Sequence, residues 1–119
     1  MKRLAFLSAL IMSLLGCGQS FNDNHVAALQ KVSDGAMLID VRSEAEYREG
    51  HLDNATRITH SSIVKGVEAL NVAKDTPMVL YCRSGNRSGQ ATAALVQAGY
   101  TNVTNGGAYG SLLAASQAH

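Results

Sequence analysis

Apolar and polar residues along this chain fall into short blocks whose period alternates between helix and strand. After a polar stretch at 18–23, Val26, Leu29 and Val32 recur at helical spacing, and Asn24 is placed to cap a helix running through Val32. Ser33-Asp34-Gly35 is a turn signal, and Ala36-Met37-Leu38-Ile39-Asp40-Val41 reads as a short buried strand. Ser43 with Glu46 three residues on is a capping-box pattern, predicting a helix through Tyr47 and Glu49 that Gly50 stops. Ala55 to Ile58 can form a second strand, and Ser61 or Ser62 can cap a helix through Leu70. Pro77-Met78-Val79-Leu80-Tyr81 is continuous and apolar, as expected of a strand covered on both faces. A Gly- and Ser-bearing loop follows, then a helix over 88–97 closed by Gly99, and a strand at Asn102-Val103-Thr104. A turn at Gly106-Gly107 and a final helix over 108–117 complete the pattern. Strands alternating with helices predict an α/β sandwich with a mainly parallel central sheet flanked by helices. In such folds the working site lies at the carboxyl ends of the strands.

The start of the chain follows a different logic. Met1-Lys2-Arg3 precedes an apolar run over 4–15, the build of an export signal and too short for a comfortable membrane span of about 20 residues. Leu14-Leu15-Gly16-Cys17 resembles the lipobox of bacterial lipoproteins, in which Cys17 would be acylated and become the mature N-terminus. Ordinary cleavage after Gly18 or Ser20 and an uncleaved anchor are the competing readings. Each places the folded part outside the cytoplasm, and the first makes it a periplasmic protein held to a membrane by lipid. The chain therefore divides into a signal peptide at 1–16, a short leader at 17–23 and one domain at 24–119.

Composition narrows the choice of function. The 119 residues are 46% hydrophobic, a share raised by the targeting segment, and its removal leaves enough for one modest core. Ten basic against nine acidic side chains give no basic stripe for nucleic acid, and two Phe, four Tyr and no Trp give no stacking platform for single strands. Two cysteines are too few for a disulfide framework, and neither stands in a Cys/His cluster with zinc spacing. No metal or organic cofactor is implied. If Cys17 carries lipid, Cys82 is the one thiol left in an oxidising compartment.

Cys82 directly follows the apolar strand and precedes a helix, in Cys82-Arg83-Ser84-Gly85-Asn86-Arg87-Ser88. Backbone N–H groups converge at such a junction, the helix N-terminus adds partial positive charge, and a curled loop makes a nest for an anion. Gly85 allows a conformation other residues resist, and Arg83 and Arg87 add full charges. These terms favour thiolate over thiol, predicting a nucleophilic Cys82 facing an anion.

These residues resemble those of a known family. The mature chain is similar to the single-domain rhodaneses, sulfurtransferases that include small exported phage-shock-type members. The likeness rests on Leu38-Ile39-Asp40-Val41-Arg42, on Glu46-Tyr47-x-x-Gly50-His51-Leu52, on the Cys82 loop and on Gly106-Gly107. It implies a three-layer sandwich and a sulfane sulfur carried from thiosulfate, or a similar donor, to a thiol or cyanide through a Cys82 persulfide. Arg83, Ser84, Gly85, Asn86, Arg87 and Ser88 would bind substrate. Rhodanese loops run six residues, here Cys82 to Arg87; the related phosphatases and arsenate reductases use seven, with the closing arginine where this chain has Ser88. A phosphatase or arsenate reductase on the same fold and a non-catalytic binding module are the alternatives. The tryptophan often found after the final Gly-Gly is absent, and Ala108-Tyr109-Gly110 stands there.

The other polar residues have plainer readings. His51 is expected to make a structural hydrogen bond, and Asp40 and Arg42 a supporting salt bridge. Glu44, Glu46 and Glu49 with Arg48 read as an exposed helix face, and His25, His60 and His119 as solvated. Ser88 either donates to the bound anion or caps the helix.

Overall fold

The computed structural model describes residues 20–117, with side chains from Asn24 onward. The segment 1–16 expected to be a signal peptide, Cys17 and His119 lie outside the described residues. Among the described residues no helix is long and apolar enough to cross a membrane.

The chain runs α1 (Ser20–Ser33), β1 (Met37–Asp40), α2 (Glu44–Glu49), β2 (Thr56–Arg57), a 3₁₀ turn (His60–Ser62), α3 (Ile63–Ala69), β3 (Met78–Cys82), α4 (Asn86–Gln97), β4 (Val103–Ala108) and α5 (Tyr109–Gln117). The four strands form one sheet in the order β2-β1-β3-β4, and every pairing is parallel. Alternation along β1 and β3 divides the core between two faces. Ile39, Met78, Leu80 and Cys82 pack with Ile63 and Val67 of α3 and Ala91 and Leu95 of α4. Leu38, Val79 and Tyr81 pack on the other face with Ala28 of α1 and Leu112 of α5. All five residues of β3 are buried, as a strand with helices on both sides requires.

The local signals explain most element ends. Ser43 Oγ accepts the Glu46 N–H at 3.2 Å while Glu46 Oε1 accepts the Ser43 N–H at 3.0 Å, so α2 begins with a complete capping box. Gly50 follows its last residue. At the end of α4, the Tyr100 N–H reaches the Leu95 carbonyl and the Gly99 N–H the Val96 carbonyl, both at 3.0 Å, which is a Schellman closure.

Three expectations need correction. The first helix begins at Ser20, ahead of Asn24, which lies inside it. Helix α4 begins at Asn86, so Ser88 sits in its first turn and is not its cap. Gly106-Gly107 is not a turn: both belong to β4, whose register against β3 slips from Leu80↔Asn105 to Tyr81↔Gly107, leaving Gly106 as the extra residue of a bulge. Glycine is required there, because a Cβ at Gly106 would lie 2.8 Å from Val79 Cγ1 and 3.1 Å from the Leu80 carbonyl.

Candidate active site

Parallel strands bring their carboxyl ends to one edge, where Asp40 faces Tyr81 and Cys82 faces Ala108. Cys82 closes β3, and the chain turns at once into the first turn of α4. The turn depends on Gly85, whose φ of +98° lies in the left-handed region. The restriction is conformational, since a Cβ on Gly85 would make only an ordinary contact, 3.4 Å from Gly107 Cα.

The loop wraps the sulfur with donors. Cys82 Sγ accepts from the Gly85 N–H at 3.0 Å, the Ser88 N–H at 3.3 Å and the Ser88 hydroxyl at 3.4 Å. Cys82 and Ser88 are fully buried. Burial alone pushes the thiol pKa up, but the hydrogen bonds from Ser88, Gly85 and Ser84 outweigh it and leave Cys82 below its ordinary value. Hydrogen bonds from neutral donors are the largest of the lowering influences, and the charge of Arg87 acts on the thiolate beside them.

The arginines are engaged elsewhere. Arg87 Nη1 and Nη2 donate to Glu46 Oε1 and Oε2 at 2.8 and 3.0 Å. Arg83 is 76% exposed and reaches Glu46 only at 3.7 Å. Glu46 is thus not on a solvated face; 18% exposed, it joins the cap of α2 to the residue that closes the loop. The Arg87 hydrogen bonds, then the Ser43 N–H, hold its carboxyl well below the usual range. Its place three residues after Ser43 foretold the cap, but nothing local foretold a partner 41 residues away.

Asn105 is the second residue that sequence reasoning missed. Its Oδ1 accepts from the Ser88 hydroxyl at 2.7 Å and the Gly107 N–H at 3.0 Å, and its Nδ2 donates to the Gly85 carbonyl at 3.2 Å. The available signal was a polar residue immediately before Gly-Gly.

A buried ion pair supports the same edge. Arg42 Nη2 donates to Asp40 Oδ2 and to the Gly50 carbonyl, each at 2.7 Å, and Arg42 Nε donates to Asp40 Oδ1 at 2.9 Å. Tyr109 fills the place after Gly-Gly, its ring centroid 4.4 Å from the Arg42 guanidinium carbon. His51 Nδ1 lies 2.8 Å from the Tyr47 carbonyl and its ring stacks on Tyr47, a structural role. His25 and His60 are half-buried rather than solvated. Two clefts flank the loop. One, of about 390 Å³, is bordered by Arg42, Glu46, Arg83 and Tyr109, and the other, of about 470 Å³, by His25, Lys31, Ser84 and Asn105.

Comparison with known proteins agrees with this geometry. The family described as Rhodanese-like domain matches residues 24–107. A protein named Sulfurtransferase from Allochromatium vinosum is 37% identical over 73 residues, covering 61% of this chain and 66% of its own. Thiosulfate sulfurtransferase GlpE from Pseudomonas entomophila is 34% identical over 76 residues, covering 64% of this chain and 68% of its own. Among solved structures, a rhodanese with anions from E. coli superposes with a TM-score of 0.62 at 30% identity, covering 65% of this chain and 91% of that one. The human single-domain sulfurtransferase TSTD1 also has a TM-score of 0.62 at 30% identity, covering 70% and 85%.

Proposed function

The chain belongs to the rhodanese-like domain family, and on that premise we propose that it is a thiosulfate sulfurtransferase working through a persulfide on Cys82. The observation that carries this reading is the convergence of the Gly85 N–H, the Ser88 N–H and the Ser88 hydroxyl on one buried sulfur.

In the first step the Cys82 thiolate attacks the outer sulfur of thiosulfate. A new S–S bond forms, the old one breaks, and sulfite leaves with the electron pair. Total charge is unchanged, and the loop now holds Cys82–S–S⁻ among N–H donors suited to an anion. In the second step a thiolate or cyanide attacks the outer persulfide sulfur, and the Cys82 thiolate is released. The first step needs ionised Cys82, and the depressed thiol pKa favours that form without a separate base. Cys82 lies beneath its own loop, so the donor approaches through the side that carries exposed Arg83, Ser84 and Asn86.

Phosphate or arsenate as the substrate is disfavoured by the six-residue loop from Cys82 to Arg87, whose closing arginine is bonded through both terminal nitrogens to Glu46. In the same proposal the domain works outside the cytoplasm, held to a membrane by lipid on Cys17.

The purified protein is expected to convert thiosulfate and cyanide to thiocyanate and sulfite, and Cys82→Ser to abolish the conversion. Thiosulfate alone is expected to add about 32 Da, one sulfur atom, to the Cys82 peptide. Hydrolysis of p-nitrophenyl phosphate without thiocyanate formation would overturn the reading. Intact mass of the same preparation tests export: acyl mass on an N-terminal Cys17 supports it, and an unmodified chain starting at Met1 sinks it.

A further inference from the structure

The Ser88 hydroxyl has one proton and three acceptors in reach: Asn105 Oδ1 at 2.7 Å, the Gly85 carbonyl at 3.1 Å and Cys82 Sγ at 3.4 Å. Only one can be served fully at a time, and neither oxygen is orphaned when the proton turns away. Asn105 Oδ1 keeps the Gly107 N–H at 3.0 Å. The Gly85 carbonyl keeps Asn105 Nδ2 at 3.2 Å and the Gly89 N–H at 3.0 Å. Turning the hydroxyl toward sulfur therefore leaves no buried acceptor without a donor, which is the main obstacle to such a change inside a protein.

We infer that Asn105 is a positioning residue that shares the Ser88 hydroxyl with Cys82, so that the hydroxyl follows the charge on the sulfur. With Cys82 protonated, the hydroxyl donates to Asn105 at the short distance of the structure. With Cys82 ionised, it rotates about its Cβ–Oγ bond and donates to the thiolate, while the thiol proton has left to solvent. When the sulfur becomes the inner atom of a persulfide, the negative charge moves outward and the hydroxyl returns to Asn105. The rotation makes and breaks no covalent bond. It lets one site hold thiol, thiolate and persulfide with the backbone unmoved.

The bulge in β4 explains how an asparagine comes to stand there. Regular pairing continues to Leu80↔Asn105, and the extra Gly106 re-aims the strand so that Asn105 reaches back over the loop. The charged and titratable groups around the sulfur leave the hydroxyl as the adjustable element. From β1 and the residues after it come Asp40 and Arg42, paired with each other, and from α2 and α4 come Glu46 and Arg87, likewise paired. Arg83 is largely in solvent, and His25 of α1 lies beyond Gly107.

This inference rests on Cys82 as the reacting thiol, but its test reads ionisation and not sulfur transfer, so the two can fail separately. Thiolate absorbance is titrated in the full chain, each variant being taken as a difference against the same variant carrying Cys82→Ser. Asn105→Asp, nearly isosteric, strengthens the competing acceptor and is expected to raise the apparent Cys82 pKa by about one unit, a tenfold loss of thiolate at a fixed pH below it. Asn105→Leu removes the competitor and is expected to move the pKa the other way. On a Ser88→Ala background the Asp effect is expected to fall to about threefold, the residue of through-space charge. Equal Asp effects with and without the Ser88 hydroxyl would overturn the inference. So would shifts of the same sign for Asp and Leu, which would mark Asn105 as packing alone.

Discussion

Glu46→Ala removes two things at once, and the structure separates them. One is the reciprocal cap of α2, in which Oε1 accepts the Ser43 N–H at 3.0 Å; such a cap contributes about 1 kcal/mol. The other is the bidentate pair with Arg87, with side chains 18% and 30% exposed, which after solvent screening contributes about another 1 kcal/mol. A loss of about 2 kcal/mol in a domain of about 100 residues lowers the melting temperature by about 10 °C. Glu46→Gln keeps an oxygen for the cap and loses the charge, so about half that fall is expected. The pH dependence has a definite sign. The Glu46 carboxyl titrates lower in the folded chain than in the unfolded one, so the pair stabilises fully above about pH 4.3 and fades as pH falls through the depressed folded value. The gap between wild type and Glu46→Ala should stay constant from neutrality to about pH 5 and shrink only below that. Thermal melts of the three proteins across this range, each with its thiocyanate-forming rate, are the assay. A Glu46→Ala protein melting within about 2 °C of wild type at pH 7 would refute the reasoning.

Two further substitutions test the frame around the loop. Asp40→Ala strands the buried Arg42 guanidinium and is expected to cost about 3–5 kcal/mol in a urea titration; a loss below about 1 kcal/mol would show that Arg42 finds another partner or water. Gly106→Ala places a methyl group 2.8 Å from Val79 Cγ1 and 3.1 Å from the Leu80 carbonyl, with an expected loss of about 1–3 kcal/mol from overpacking at the bulge, read as a lower urea midpoint at unchanged slope.

Some of this protein is legible in one dimension because the physics is local. The capping box at Ser43 and Glu46, the glycine closure after α4 and the apolar run of β3 each involve residues within a few positions, so spacing and residue type predict them. Cys82 at the end of that strand is likewise a local pattern, and with it the thiol-bearing loop between strand and helix. Gly106-Gly107 misled because a glycine pair is most often a turn; only the close approach of β3 makes it a strand bulge.

What tertiary structure alone decided is how the loop is held and which of the expected influences lowers the thiol most. The sequence determined that Arg83 and Arg87 follow Cys82, and it offered their charges together with converging N–H groups and a helix N-terminus as sources of its acidity. Packing brought Glu46 across 41 residues to bind Arg87, left Arg83 in solvent, and set the hydrogen bonds of Ser88 and Gly85 ahead of arginine charge on the sulfur. It also brought Asn105 from the far strand onto Ser88 and Gly85. The reason is physical. Periodicity and capping act along the chain, whereas the partner of a charge or a hydroxyl depends on which strand ends the sheet sets side by side.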